Sequence, residues 1–184
     1  ASPGGNDISA LAFRGDGNTD GLRLQMQYSG VNKHWSSSGK FRDSSGWYHI
    51  VMAVHLYGSS GERVRIYING ERDYGSWTTG SEPDSSNQYY FNHTTEHRIG
   101  SSTSFPTAID GYMSQLYWLD GLDATADDFG YTDSLTGIWR PKKYSGTFGT
   151  LGYYLPFDVN EPVGKDMSGN GHDWTPVKLR ATTT

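Results

Sequence analysis

The amino-acid sequence predicts an all-β protein, two antiparallel sheets packed as a sandwich with at most one short helix. Three observations carry that expectation. Short runs alternate apolar and polar residues, the period-two signature of a half-buried strand. Polar turns rich in Gly, Ser, Thr and Asn separate these runs, and 24 of the 184 residues are glycine. Only one short stretch reads as helix.

Residues 1–10 read as loop, or as the continuation of upstream chain. Residues 11–13 and 22–28 read as strands. In the second, Leu22, Leu24, Met26 and Tyr28 share one face, and Arg23, Gln25 and Gln27 the other. Residues 47–56 are the strongest strand. Tyr48, Ile50, Met52, Val54 and Leu56 make one apolar face, and the other mixes His49 and His55 with Val51 and Ala53. A strand apolar on one face and half-apolar on the other suits a sheet between layers. Residues 63–68 alternate again and lead into Asn69-Gly70, a two-residue hairpin turn because both positions need positive φ. Residues 71–77 are then the returning strand. Residues 78–95 are polar and irregular, with aromatics at Tyr89, Tyr90 and Phe91. Residues 97–100, 112–119 and 151–155 complete the strands, the last stopped by Pro156. Residues 123–129 form the helical candidate, two turns at most. No linker or tandem repeat is visible. One domain is expected over 11–177, with 178–184 as a tail or a link to a further segment. The chain lacks a starting Met and ends in Ala181-Thr182-Thr183-Thr184, which suggests a segment of a longer polypeptide.

Composition narrows the function. Hydrophobic residues are 34% of the chain, but six Trp, thirteen Tyr and seven Phe can carry a core. A net charge of −5 argues against nucleic acid, which needs clustered Lys and Arg. The one basic cluster, Arg140 to Lys143, is short, contains a proline and reads as a solvated loop. With no cysteine, disulfides and thiol chemistry are excluded. No apolar run approaches the roughly 20 residues of a membrane span, and no signal peptide is visible.

Three stretches taken together carry a resemblance. The first is Gly46-Trp47-Tyr48-His49-Ile50-Val51 with Ile66-Tyr67-Ile68-Asn69-Gly70. The second is Arg98-Ile99-Gly100 with Ile109-Asp110-Gly111-Tyr112-Met113-Ser114-Gln115-Leu116-Tyr117. The third joins Gly152 to Asp158 with Asp166-Met167-Ser168-Gly169-Asn170-Gly171-His172-Asp173. Over residues 41–175 the chain resembles the concanavalin A-like lectin and glucanase superfamily, in particular its laminin-G-like jelly rolls. A narrower resemblance, to laminin-G-like domains of tailed-phage virion proteins, rests on three further runs. They are Tyr131-Thr132-Asp133 through Thr136-Gly137, Trp139, Pro141-Lys142, Tyr144, Gly146 and Gly149, then Gly152 to Phe157, then Gly164 to Pro176. The order differs from stand-alone laminin-G-like domains, where the unit matching Gly152 to Asp173 usually comes first. The resemblance implies a concanavalin A-like jelly roll and a non-enzymatic module on a virion surface, outside the cell. A tail fibre or a capsid decoration would be its place, and binding of host glycan its use. A purely structural domain that binds other virion subunits is the alternative, and a glycan-degrading enzyme a lesser one.

Candidate chemistry divides among a few places. Asp166, Ser168, Asn170 and Gly171 fit the first half of a calcium-loop pattern, but the twelfth position from Asp166 is Val177 where a bidentate Glu is needed. Pro162 and Pro176 oppose flanking helices. Asp166, Ser168, Asn170 and Asp173 therefore remain as oxygen donors of a turn or of a calcium site. Laminin-G-like domains bind calcium, which keeps the second option, although their ligands do not map onto this loop. A retaining glycosidase needs two carboxylates about 5 Å apart. Of five glutamates, only Glu71, with Asp73, comes near that spacing, and the pair reads as an exposed hairpin arm. His49 and His55 are about 20 Å apart along one strand, too far for one metal. His93 and His97 have the spacing of a helical metal site where no helix is predicted. Arg14-Gly15-Asp16 and the glycosylation pattern Asn92-His93-Thr94 are short matches of the kind that chance supplies.

Aromatic residues outside the core pattern are the better lead. Sugar rings stack their C–H faces on aromatic planes while amides bind their hydroxyls. Trp77, Tyr89 and Tyr90, with Asn87 and Gln88 beside them, are the candidates for glycan binding. Packing at the ends of the sandwich or at a subunit interface is the other reading. Such single sites bind weakly, so several copies are expected and the partners are host glycan or other virion subunits in a homo-oligomer. Nucleic acid and membrane insertion are not expected.

Overall fold

A computed structural model describes residues 7–14, 20–86, 89–101, 108–158 and 160–177. The described residues are all-β, with one very short helix and four antiparallel sheets. The chain divides into two compact units, Ala1–His93 with Asp123–Tyr144, and Thr94–Leu122 with Ser145–Thr184. The expected Arg14-Gly15-Asp16 triplet lies partly outside the described residues.

In the first unit, β1 (Ile8–Arg14), β2 (Gly21–Tyr28), β3 (Val31–Ser36), β4 (Ile50–Val54), β5 (Val64–Ile68), β6 (Glu71–Asp73) and β7 (Ser76–Thr79) build two sheets. One has the order β1-β2-β3-β7 and the other β4-β5-β6. Leu22, Leu24 and Met26, the face that alternation picks out, are buried. With Trp35, Ile66 and Tyr89 they form one apolar cluster. Register places Ile50 opposite Ile68, Met52 opposite Ile66 and Val54 opposite Val64. That whole face packs on the same cluster, so the two sheets share a core.

Asn69 and Gly70 have φ of 50° and 85°, the turn expected between β5 and β6. Ser29-Gly30 makes the same kind of turn between β2 and β3, with φ of 49° and 80°. The strand β3 was not expected, because Val31, Lys33 and Trp35 alternate with polar residues and Lys33 occupies an inward position. The strand expected over 47–56 begins only at Ile50. Asn69 Oδ1 accepts the His49 N–H and the Asn69 N–H goes to His49 O, so the turn closes the ladder there.

The single returning strand expected over 71–77 is corrected to two. Gly75 breaks it at φ 41°, held by its N–H donated to Asp73. A Cβ at Gly75 would collide with Ser36 O and the Trp35 indole. The chain leaves β6 there and joins the other sheet as β7, opposite β3.

The first unit also holds α1 (Ala126–Phe129), β9 (Gly130–Thr132) and β10 (Trp139–Pro141). The helix is shorter than the two turns allowed for. The Thr125 N–H donates to Asp128 at its start, and Ala126 and Phe129 are buried. From β10, the Trp139 indole lies against the backbone of Gly70 and of Gly130, where a Cβ would fall inside its ring contacts. Its Nε1–H donates to His49 Nδ1 at 3.1 Å.

In the second unit, β8 (Leu116–Trp118) pairs antiparallel with β11 (Tyr153–Leu155). Tyr117 stacks on its partner Tyr154 with centroids 4.4 Å apart, and Trp118 lies parallel to Tyr153. The longer strand expected over 112–119 is cut back because Gln115 sits at φ 54° and turns its N–H to Pro156 O. No strand forms at 97–100. Gly100 adopts φ 76°, and its carbonyl accepts the Ile109 N–H.

Gly70→Ala should cost about 3 kcal/mol or more, adding a left-handed penalty to overpacking against Trp139. In a Trp139→Ala background the same change should cost only the backbone share, about 1–2 kcal/mol. Urea unfolding of the four variants checks this, and equal costs in both backgrounds would remove the indole as the obstacle.

Candidate functional site

The described residues 81–86 and 89–93 are held by the buried Lys33 ammonium and the partly buried Glu82 carboxylate at one end and by aromatic rings at the other. Lys33, 7% exposed, donates Nζ to Ser81 O, Ser81 Oγ and Glu82 O. A buried ammonium is tolerated only when its donors are met. Glu82 sends its carboxylate back to β5, accepting N–H bonds from Gly61, Arg63 and Val64. Pro83 is fully buried, and Asp84 closes an Asx turn by accepting the Ser86 N–H. At the far end Tyr89 enters the core and Phe91 packs against it. The Tyr90 N–H donates to Ser9 Oγ, and its hydroxyl donates to Asp7 at 3.2 Å. Asp7 also accepts the Ser29 N–H, so it ties this loop to the turn between β2 and β3.

Against this loop runs the end of the longest apolar face. Beyond β4 the chain turns at Gly58, whose N–H donates to His55 O. Arg63 Nε donates to Gly58 O and fixes the turn. Leu56 and Tyr57 precede it. Between them and the loop lies an open cavity of about 510 Å³. Leu56, Tyr89 and Phe91 supply its apolar lining, Tyr57 its exposed ring, and Ser85, Asn92 and His93 its hydrogen-bonding groups. Tyr89 is 8% exposed and Tyr57 is 86% exposed. Asn92 sits at φ 60°, a conformation Asn tolerates better than most residues. The His93 ring meets the edge of Tyr90 at 4.7 Å.

Of the residues expected to bind glycan, Tyr89 lines this cavity. Tyr90 does not, but its ring backs His93. Trp77 is not in a loop. It lies on β7 opposite Trp35 and packs on the core cluster, so its ring serves the fold. Asn87 and Gln88 lie outside the described residues. Tyr57, Ser85, Asn92 and His93 were not foreseen as a group. The available signal was an aromatic residue directly after the strongest strand, where the apolar face runs out.

Asp166, Ser168, Asn170 and Asp173 come together in the second unit. Asp166 is 5% exposed and accepts four hydrogen bonds. They come from the N–H groups of Tyr154, Ser168 and His172 and from the Ser168 hydroxyl, each at 2.9 Å. Asp173 accepts the Asp166 N–H and the Lys165 ammonium, both at 2.9 Å. The Asn170 side-chain amide donates to Gly149 O and Gly152 O. His172 Nε2 donates to Thr150 O. The four residues thus organise a turn against β11, and a cation at Asp166 would have to displace N–H groups already bound. Burial pushes the Asp166 carboxyl up, but the four donors outweigh it and hold it below its usual range. Among the described residues, no three His, Cys, Asp or Glu side chains are grouped to hold a metal ion.

Several carboxylates elsewhere have structural partners. Asp73 accepts from Ser38 N and Oγ and from Gly75 N, while Glu71 is exposed. Glu62 pairs with Arg72, whose guanidinium lies over the Tyr74 ring, and Glu96 pairs with Arg98.

No family model matches this chain, and neither a curated protein nor a solved structure does. No helix among the described residues is long and apolar enough to cross a membrane.

Two titrations follow from this geometry. Burial lowers the His49 imidazole below its usual 6.5, and Nδ1 must stay unprotonated to accept from Trp139. As pH falls, the unfolded chain takes the proton first. The stabilisation is therefore complete above about 6.5 and is lost as pH drops towards the lowered folded value. His49→Gln, which keeps an acceptor, should flatten that part of the stability curve, and urea unfolding across pH reads it. Asp166→Asn should cost about 2 kcal/mol, because one oxygen facing N–H donors becomes a donor itself. The wild-type contribution is present above about 3.8 and fades as pH falls through the lowered folded value. Equal stability of the variant and the wild type at neutral pH would refute this role.

Proposed function

We propose that this chain is a non-enzymatic module of a virion surface that holds host glycan in the cavity lined by Leu56, Tyr57, Ser85 and the stretch from Tyr89 to His93. The proposed frame is a laminin-G-like jelly roll, and the shared core of the two larger sheets supports it. The cavity is the observation that carries the function. Its volume falls in the range of small-ligand sites. It offers apolar and aromatic surface for a sugar face and an amide, a hydroxyl and an imidazole for sugar hydroxyls. Among the described residues no carboxylate lines it, which supports binding rather than the acid and base work of hydrolysis. The Asp166 loop enters this proposal as a turn that supports β11 rather than as a calcium site.

An assembly role is the second reading, and one observation favours it. The hairpin of β9 and β10 exposes Tyr131, Leu135 and Ile138, and Leu135 is 94% exposed. Asp133 holds that tip rigid by accepting the Leu135 and Thr136 N–H groups. Apolar side chains fixed outward are suited to a neighbouring subunit, and oligomerisation would add avidity to a weak sugar site.

A glycan array probed with multivalent protein tests both readings, in calcium buffer and again with chelator. Selective binding that Tyr57→Ala removes and chelator leaves intact is the expected result. A blank array from folded protein, together with an oligomer that Leu135→Asp dissociates, would replace adhesion by assembly.

A further inference from the structure

We infer that the cavity at Tyr57 selects an uncharged sugar over an acidic one, taking a neutral hexose or N-acetylhexosamine unit and rejecting sialic and uronic acids. This rests on the glycan reading above and adds the class of sugar. The argument starts from the charges around the cavity. Among the described residues, its lining contains no Lys, Arg, Asp or Glu. The cations of the surrounding elements are turned to protein oxygens. Lys33 Nζ donates to Ser81 and Glu82, and Arg63 Nε to Gly58 O. The charges on the loop itself, Glu82 and Asp84, are both negative. Glu82 spends its oxygens on three backbone N–H groups of the β5 approach, and Asp84 accepts from Ser86.

An acidic sugar needs a cation or a fork of donors to replace the water its carboxylate loses. A site whose described lining holds no Lys or Arg gives that carboxylate no such cation, and the neighbouring charges of the chain, Glu82 and Asp84, have its own sign. A neutral ring loses nothing of the kind. Its C–H face lies on aromatic surface, and its hydroxyls find groups that both donate and accept at Ser85 and Asn92. The apolar half of the lining comes from the core itself through Tyr89 and Leu56, so it is rigid before ligand arrives. Tyr57 is the exposed ring that closes over the sugar.

The intact chain is titrated near neutral pH with the methyl glycosides of neutral hexoses and N-acetylhexosamines, and separately with sialic acid and glucuronic acid. Saturation-transfer NMR detects weak binding. Neutral glycosides should bind at least about tenfold more tightly than the acids. Tyr57→Ala should weaken them about three- to tenfold, and Tyr57→Trp should retain them. Tyr57 is exposed, so neither change threatens the fold, and a thermal melt confirms that. Acids that bind as tightly as neutral sugars, and lose binding in Tyr57→Ala, would overturn the selectivity while leaving the glycan site in place. Sugar binding that Tyr57→Ala does not change would overturn the cavity as the site. Failure of every sugar to bind folded protein would remove the glycan reading and this inference with it.

Discussion

One indole needs two bare backbones. Trp139 lies where Cβ atoms at Gly70 and Gly130 would be, and its N–H reaches His49, 90 residues back in the chain. Gly70 belongs to the turn that ends β5, Gly130 begins β9, and His49 precedes β4. The indole therefore couples the hairpin of β9 and β10 to the sheet of β4 and β5, which lies on a separate ladder. It also explains why the stretch Asp123–Tyr144 belongs with the first unit although Thr94–Leu122 intervenes. A ring of this size contributes a large apolar area, but only where glycine permits the approach. The constraint is steric before it is energetic.

The cavity depends on a different economy. Lys33 and Glu82 are charged groups turned towards backbone, and each has its hydrogen-bonding capacity largely met by protein. Such groups contribute little net stability compared with apolar replacements, yet losing one partner is costly. Their effect is positional. They fix where the loop of residues 81–93 starts, Tyr89 fixes where it returns to the core, and the space between is left open beside Tyr57.

Alternation was enough to find β2, β4 and β5, and Asn69-Gly70 was enough to find their turn, because these features depend on neighbours within a few residues. Local pattern failed where a distant group decides. Gly75 ends β6 because Trp35 and Ser36 lie beneath it, Gln115 delays the start of β8 by turning to Pro156, and Lys33 points inward because Ser81 and Glu82 receive it. None of those partners is visible from the residue itself. The site followed the same rule. Tyr89 was named for its aromatic ring in a polar stretch, and so was Trp77, but Trp77 faces Trp35 across a ladder. Tyr57 was passed over although it directly follows the strongest expected strand, because position alone does not say that its ring is exposed. The two-unit division is equally hidden in the sequence, since residues 93–94, 122–123 and 144–145 carry no shift of composition.

The segment Asp166 to Asp173 shows why a metal-loop pattern is ambiguous in principle. Asp, Ser and Asn at alternate positions, with glycines between, place several oxygens around one point. A cation can fill that point, or backbone N–H groups can. The outcome depends on which way the first carboxylate faces. Here it faces inward, to Tyr154 of β11 and to the amides of its own turn, and the donors that surround it keep it ionised. N–H groups then supply the positive partial charge that a cation would bring. Asn170 strengthens the arrangement from outside by capping Gly149 O and Gly152 O, so the side chain that would be a third ligand is used to hold the strand's approach. In this arrangement four donors of the chain itself meet the charge of the Asp166 carboxylate.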